Sequence, residues 1–404
     1  MKTITVKKSL PPLLFAGILF LLGGCDIGTN PEDTHDHEHD AEAWLWAFDE
    51  DNGTVTIYDT HEGVAETTYT ASAFPMMHCF TAGPAMTPTL WMAKTSTAYG
   101  FTTGFDLSHG DHAHKETPET YATISVGNNP VHMGSTPSGD TIAFSNDGDQ
   151  TVSIIDVAAK SVVATVTHGS GHSAALLTGD YLITHAATGS GDTWAKVIDI
   201  AKDSVLDSLT IGSGAHGDSY YEAGKKAFFA CTDGLYIIDV ANRTVKGSIA
   251  YTEPGRTNFL YHGHGKSLAV GLHKTDAGTS DKLLLLDMQN ETLEYITMSG
   301  AVVPWNISTD QFSLSANGSV AVISDNTASK IYHVTLATKT VKTLTAPAAG
   351  CAVATNADGS IVWALNGRTV SMIHAEENDV EDTFSVSAET DWIYVTSTDA
   401  EVLH

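Results

Sequence analysis

Residues 129–157 read NPVHMGSTPSGDTIAFSNDGDQTVSIIDV. The turn sequences Ser138-Gly139-Asp140 and Asn146-Asp147-Gly148 divide this stretch into three runs rich in Val, Ile, Thr and Phe, and a fourth such run follows at 161–167. Short β-branched runs bounded by Gly, Asn and Asp predict strands joined by tight turns, because these residues accept the positive φ angles that turns require. The stretch therefore predicts one four-stranded antiparallel unit.

The same unit recurs along the chain at a spacing of about 40 residues, which is the blade length of many β-propellers. The third strand of several copies ends in an aliphatic residue followed by Asp. These pairs are Ile155-Asp156, Ile198-Asp199, Ile238-Asp239 and Leu286-Asp287. No long helical period interrupts the pattern, so the sequence predicts an all-β fold consisting of a single β-propeller.

The number of blades follows from the repeats and from the strands left at the two ends. Seven repeats start near His78, His132, His172, His216, Arg256, Trp305 and Cys351. Strand-like runs remain at 44–48, 54–58 and 66–70, and one more at 392–396. We predict eight blades, with seven as the alternative. The eighth combines three N-terminal strands with one C-terminal strand, since such closure removes exposed sheet edges.

The N-terminus has the features of a secretion signal. Lys2, Lys7 and Lys8 precede a short apolar run, and the segment Leu22-Gly23-Gly24-Cys25 resembles a bacterial lipobox. We expect residues 1–24 to be a lipoprotein signal peptide, Cys25 to be lipidated, 25–41 to be a flexible tether, and 42–404 to be the propeller. The lipid would anchor the protein in the periplasm, on the inner or outer membrane of a Gram-negative bacterium.

The chain is strongly acidic, with 48 Asp and Glu against 20 Lys and Arg and a formal net charge of −28. This charge argues against nucleic-acid binding, which needs a basic surface. It favours a surface that concentrates cations, although solubility in a salty habitat explains it equally well. We expect a monomer.

Two histidine-rich tracts suggest metal binding. In residues 34–40, imidazoles alternate with acidic residues, so in an extended chain they face the same side. A second tract lies between strands of the second blade, near the propeller surface. The auxiliary candidate ligands are His35, His37, His39, His109, Asp111, His112 and His114. The alternatives are that the first tract is only an acidic tether and that the second is a solvated hairpin tip.

Further histidines occupy matching positions in successive repeats. They fall at or just before the first strand of each blade, which lines the central channel, so they would converge on one mouth of that channel. His185 and His273 follow second strands and lie near the same face. Three or four imidazoles suit Zn²⁺, and also Cu²⁺ or Ni²⁺. The candidate ligands are therefore His132, His172 and His216, with His78, His185 or His273 completing the shell.

Cysteine is sparse. If Cys25 carries lipid, Cys79, Cys231 and Cys351 remain, and an odd number leaves at least one cysteine outside any disulfide. There is no CxxC pair, so a thiolate zinc finger is excluded.

Two segments carry a resemblance to a known family. Gly171–Leu177 with 182–185, and Gly214–Asp218 with 229–234, are similar to motifs of the AztD-type periplasmic zinc metallochaperones. The resemblance implies a propeller that binds zinc and passes it to the solute-binding protein of a zinc ABC transporter. It also implies a disulfide between Cys231 and a cysteine before His216. Residues 211–214 hold no cysteine, so Cys231 is expected to be free.

Two other functions stay open at this point. The chain can be a metal-dependent enzyme, such as a hydrolase or lyase, with Asp218 close to His216 as a general base. It can also be an interaction propeller in which the histidines are incidental. No haem attachment motif and no GxSxG are present, so we expect a protein that is not an enzyme.

Overall fold

The computed structural model describes most of the chain beyond its first segment. The described residues are 42–70, 80–82, 89–106, 114–169, 172–187, 193–257, 259–263, 265–274, 279–304, 311–387 and 389–397. They contain no helix long and apolar enough to cross a membrane.

The described residues form eight antiparallel sheets, here called blades 1 to 8 in chain order. Each has four strands, except that the inner strand of blade 6 is split into two short pieces. Blade 1 contains Ala43–Asp49, Thr54–Asp59, Ala65–Thr70 and Trp392–Ser397, and blade 2 contains Phe80–Ala82, Thr89–Lys94, Thr97–Thr102 and Thr120–Ser125. Blade 3 contains Pro130–Ser135, Thr141–Asn146, Thr151–Asp156 and Ser161–Thr167, and blade 4 contains Leu176–Leu177, Tyr181–Ala187, Thr193–Asp199 and Ser204–Ile211.

In blades 2 to 8 the chain runs from the inner to the outer strand, whereas the inner strand of blade 1 is Trp392–Ser397. Blade 5 contains Asp218–Tyr221, Lys226–Ala230, Gly234–Asp239 and Thr244–Ala250, and blade 6 contains Arg256–Thr257 with Tyr261–His262, Leu268–Lys274, Lys282–Asp287 and Thr292–Thr297. Blade 7 contains Phe312–Leu314, Val320–Ser324, Lys330–Thr335 and Thr340–Thr345, and blade 8 contains Ala352–Thr355, Ile361–Asn366, Thr369–His374 and Asp379–Ser385. Short elements outside the blades are Phe105–Asp106 paired with His114–Lys115, Thr279–Ser280 paired with Val303–Pro304, and the 3-10 helix Ile200–Lys202.

Blade 1 closes the ring in the predicted way. Strand Trp392–Ser397 pairs antiparallel with Ala43–Asp49, and the other two N-terminal strands follow outward. The indole Nε1 of Trp46 donates a hydrogen bond of 3.0 Å to Thr396 Oγ1. The rings of Phe48 and Trp392 stack with their centroids 3.8 Å apart. The eight-blade prediction is therefore confirmed, including the blade shared by both ends of the chain.

The core lies between blades, because each sheet packs against a neighbour on both faces. The second strand of blade 1, Ala43–Asp49, is buried at every position, since its side chains point alternately into two hydrophobic interfaces. Trp46, Leu90 and Trp363 belong to one cluster that joins blades 8, 1 and 2. Outer strands such as Ser161–Thr167 alternate between exposed and partly buried positions. Continuous apolar runs therefore mark inner strands, and alternating runs mark outer ones.

The predicted strands of the deciding stretch match the structure closely. Each of the four predicted runs corresponds to one strand of blade 3, the fourth with the predicted bounds 161–167, and the two turns lie where Gly and Asp occur. Gly139 has a φ of 71°, which a glycine adopts without strain.

Replacing Trp392 with alanine tests the closure. Trp392 is 4% exposed and stacks on Phe48, so Trp392→Ala should reduce the free energy of unfolding by about 3–5 kcal/mol. Val163→Ala is the control, because Val163 is 57% exposed on an outer strand and should cost less than about 0.5 kcal/mol. Urea unfolding of both variants measures the difference. Equal losses would mean that the closing strand is dispensable.

A pH-dependent contact lies at the outer edge of blade 8. His374 Nε2 contacts Glu381 Oε2, and its Nδ1 lies 3.9 Å from Glu377 Oε2. Burial opposes the charged imidazole, but the hydrogen bond and charge of Glu381 outweigh it, so the pKa of His374 is raised. A raised histidine pKa means that the folded state holds the proton more tightly than the unfolded chain.

The stabilisation from His374 should therefore be complete at pH 5.5 and absent at pH 9. His374→Gln should lower stability by less than about 1 kcal/mol at pH 5.5, because the pair is partly exposed, and by nothing measurable at pH 9. Thermal or urea unfolding at both pH values checks this, with the exposed His61→Gln as the control. A loss that is larger at pH 9 would contradict the assignment.

Candidate metal centre

Three consecutive blades bring three histidines to one end of the channel. His132 lies in the inner strand of blade 3, and His172 and His216 lie just before the inner strands of blades 4 and 5. The inner strands of blades 3 and 4 approach closely at Gly134, where an added Cβ would lie 2.0 Å from the carbonyl oxygen of Ala175. Glycine at this position allows the two strands to bring His132 and His172 together.

The three imidazoles form a compact group, here called the triad (His132, His172 and His216). Among the described residues, the triad is the one group of three or more His, Cys, Asp or Glu whose donor atoms all lie within 4.8 Å of one another. The Nε2 atoms of His132 and His172 are 2.6 Å apart. The ring of His216 has its centroid 5.8 Å from that of His132 and 5.3 Å from that of His172.

This donor set fits a zinc ion. Zinc binds imidazole nitrogen at about 2.0–2.1 Å, which in tetrahedral geometry separates two nitrogens by about 3.3 Å. The two Nε2 atoms at 2.6 Å must therefore separate slightly on metal binding, while the wider pairs close. The side chain of His172 is 41% exposed, so the triad is accessible to solvent. Three nitrogen ligands leave a fourth position for another ligand.

Asp147 contacts the triad and was missed by sequence reasoning, which gave it only a role in a turn. Its Oδ2 lies 2.7 Å from Nδ1 of His172. A carboxylate only accepts hydrogen bonds, so Nδ1 of His172 is the donor and carries the proton. The opposite nitrogen, Nε2, faces His132. An acidic residue in the Asn146-Asp147-Gly148 turn is the signal in the sequence, but its partner lies in the next blade.

His185 lies in the second strand of blade 4. Its side chain is 2% exposed, and its Nδ1 has no hydrogen-bond partner among the described residues. Burial lowers the pKa of His185 to about 3, with further contributions from the charges of His216, His172 and His168. His185 is therefore an uncharged imidazole at neutral pH, with its lone pair available.

His168, for which the sequence suggests no role, is also close. Its side chain is fully buried, and neither ring nitrogen has a hydrogen-bond partner within the described part of the chain. Burial lowers its pKa, while the charge of Asp147 acts in the opposite direction. The two groups are thus near enough to interact electrostatically.

His273 has a different environment. Its Nδ1 lies 3.3 Å from Thr257 Oγ1, and its Nε2 lies 3.3 Å from the carbonyl oxygen of Glu253. The rings of Tyr251 and Tyr295 pack against it. The structure places His273 in this hydrogen-bonded and aromatic surrounding and not in the triad.

The remaining candidates are placed only in part. His114 pairs opposite Asp106 in the short ribbon beside blade 2. Asp218 begins the inner strand of blade 5, where burial raises the pKa of its carboxyl to about 7. The other predicted residues lie outside the described part of the chain; these are Cys25, His35, His37, His39, His78, His109, Asp111 and His112.

Cys231 and Cys351 are free and buried, as expected for Cys231. A Cβ added to Gly212 would lie 2.8 Å from the Cβ of Cys231, so the segment without a cysteine packs directly against Cys231. Burial raises the pKa of the Cys231 thiol to about 12. The thiol is therefore protonated at neutral pH, which argues against a role as a metal ligand.

Comparisons with known proteins now bear on this geometry. No protein-family model matches the chain, and no curated protein does. Two structures of AztD from Citrobacter koseri are similar, each at 16% identity. The match to the apo structure covers 88% of this chain and 98% of the AztD chain, with a TM-score of 0.71. The match to the second structure covers 89% of this chain and 99% of the AztD chain, with a TM-score of 0.72.

The chain shares the AztD fold. The resemblance inferred from the sequence is confirmed at this level. Two enzyme structures also match, with lower TM-scores. Dihydro-heme d1 dehydrogenase NirN, in complex with DHE, matches at 11% identity over 87% of this chain and 74% of its own, with a TM-score of 0.58. Hydrazine synthase of Kuenenia stuttgartiensis matches at 11% identity with a TM-score of 0.51. Propellers of this kind therefore include enzymes as well as AztD.

The lowered pKa of His185 predicts an acid-dependent loss of stability. The unfolded chain protonates this histidine near pH 6.5 and the folded state only near pH 3. His185 therefore has no effect above about pH 6.5 and destabilises the fold as the pH falls below that value. His185→Leu should reduce the loss of stability between pH 7 and pH 5 by up to about 2 kcal/mol.

Urea unfolding of the metal-free protein at the two pH values measures this loss. His61→Leu is the control, because His61 is exposed. An unchanged pH dependence in His185→Leu would show that His185 accepts a proton in the folded state.

Proposed function

We propose that the chain is a lipid-anchored periplasmic metallochaperone that binds zinc at the triad and passes it to the solute-binding protein of a zinc ABC transporter. The observation that carries the proposal is the convergence of His132, His172 and His216 at one mouth of the channel, with all donor atoms within 4.8 Å of one another. The lipid anchor at Cys25 and the signal peptide rest on the sequence of the first segment.

The ligand chemistry of the triad is compatible with zinc, and the sequence resemblance selects zinc among the compatible metals. Neutral imidazole is a good ligand for Zn²⁺, Cu²⁺ and Ni²⁺, and copper binds most tightly to such ligands in vitro. The resemblance to AztD-type zinc metallochaperones selects zinc among them. Among the described residues, Cys231 and Cys351 are buried and burial raises the pKa of both thiols, which argues against a thiolate ligand from either of them.

A carrier must hold its ion tightly and still release it. Three protein ligands on three blades give a defined site, and the exposed side of His172 allows an incoming ligand to attack the ion. His185 is a candidate for the fourth ligand, because it is a buried, neutral imidazole whose Nδ1 has no hydrogen-bond partner among the described residues. His78, which lies outside the described residues, is the other candidate for this position, whereas both ring nitrogens of His273 already have partners in Thr257 and Glu253.

Replacing two triad members tests the site. His172→Ala with His216→Ala should weaken zinc binding of the mature chain at least tenfold, because only one triad imidazole remains; this is the low end for perturbing a metal site. The matched control removes His61 and His374, two histidines outside the triad, and should leave the affinity unchanged. Competition against a chromophoric chelator measures both. Equal affinity in the two double variants would reject the triad.

The histidine tract at 34–40 is proposed as a transfer segment. A polar, acidic segment does not bury enough apolar surface to fold alone, and a tethered chelator raises the local ligand concentration near the site. Deleting residues 34–40 should slow zinc loading or transfer to an apo zinc-binding protein, and leave the equilibrium affinity within a few fold. Stopped-flow transfer with intact and shortened protein compares the rates. Identical rates would mean that the tract is only a tether.

A metal-dependent enzyme is the second candidate. A catalytic zinc site also has three protein ligands and an open position, and the pKa of Asp218, about 7, suits a general base. Stoichiometric zinc binding without turnover of ester, phosphoester or amide substrates separates the chaperone from this enzyme. An interaction propeller would bind no zinc at the triad.

A further inference from the structure

Asp147 links two blades at the triad. It follows the second strand of blade 3, and its Oδ2 accepts a hydrogen bond of 2.7 Å from Nδ1 of His172, which precedes the inner strand of blade 4. The carboxylate side chain is 22% exposed, so water competes only weakly for it. The contact is therefore part of the fold and not an incidental surface pair.

This contact determines which ring nitrogen of His172 is available to bind a metal ion. A neutral imidazole carries one proton, and the nitrogen without it is the one that binds a metal. In a free imidazole side chain both tautomers are populated. With Nδ1 donating to Asp147, the lone pair lies on Nε2, which is 2.6 Å from Nε2 of His132.

We propose that Asp147 is a positioning residue of the triad, which holds His172 in the Nδ1–H tautomer and directs its Nε2 lone pair towards the ion. The proposal rests on the proposed zinc site and adds a residue to it that binds no metal itself. Carboxylates in this position also increase the basicity of the imidazole and hence its affinity for metal.

The surroundings of Asp147 support this role. Its Oδ1 is buried and has no hydrogen-bond partner among the described residues, so the hydrogen bond to His172 is the main contact of the carboxylate. The nearby imidazole of His168 is buried, and burial lowers its pKa, so it is a neutral neighbour. No Lys or Arg in the described part of the structure forms an ion pair with Asp147, and His172 Nδ1 is its partner. The carboxylate of Asp147 thus interacts with a single candidate metal ligand, His172.

The tautomer can be measured without metal. Long-range ¹H–¹⁵N correlation spectra distinguish the two nitrogens of each imidazole, and the His172 signals are those lost in His172→Gln. We expect the Nδ1–H tautomer in the natural sequence. In Asp147→Asn the amide N–H₂ can donate to Nδ1, so we expect a shift to the Nε2–H tautomer.

Zinc affinity gives the second measurement. Asp147→Asn keeps the size of the side chain and should weaken zinc binding about 10–100-fold. Asp149→Asn is the matched control, because Asp149 lies in the same turn and bonds to Asn128 instead of to a triad residue. It removes the same charge and should change the affinity less than about twofold. Thermal unfolding of both variants shows that the fold is retained.

The outcomes separate this inference from the proposed function. An Nε2–H tautomer in the natural sequence, or the same affinity in Asp147→Asn and Asp149→Asn, would overturn the positioning role. Failure of the natural sequence to bind zinc would instead overturn the proposed function, and the tautomer shift in the metal-free protein would then decide alone whether Asp147 orients His172. Recovery of affinity in Asp147→Glu would support a role for the carboxylate.

Discussion

The pairing of Trp392–Ser397 with Ala43–Asp49 is the contact on which the ring depends. Each blade is a sheet whose two faces are both apolar, so a blade without a neighbour would expose a hydrophobic face. In a ring every face is covered, and in an open array two faces are not. The stacked rings of Phe48 and Trp392 and the hydrogen bond from Trp46 to Thr396 join the two ends of the chain. These contacts close the ring of eight blades, three of which carry the triad.

Much of this architecture could be read from the sequence, because turns and strands are determined by neighbours along the chain. Gly139 adopts its positive φ in a turn that the sequence already marks. The three histidines of the triad were recognised because they recur at one point of a repeat, and a repeat places equivalent residues at equivalent positions around the ring. The prediction that these histidines converge therefore followed from the geometry of a repeat.

Other features of the site depend on contacts between blades, and these are not visible in the sequence. Asp147 and His172 meet because two inner strands approach at Gly134, and the spacing of 25 residues between them has no special meaning in a linear chain. His185 and His273 lie in equivalent second strands, yet Nδ1 of His185 is buried with no hydrogen-bond partner among the described residues, while Tyr251 and Tyr295 pack against His273. The difference is set by the neighbouring side chains and not by the repeat.

The closing contact also affects the order in which the blades fold. Trp46 and Thr396 are separated by 350 residues, and contacts this distant in sequence form slowly, because a long loop must close before they gain any stabilisation. Blades 3, 4 and 5 consist of strands that are adjacent in the sequence and can pair as soon as they exist. Blade 1 must wait for the last strand of the chain. The three blades that carry the triad can thus be assembled before the circle is complete.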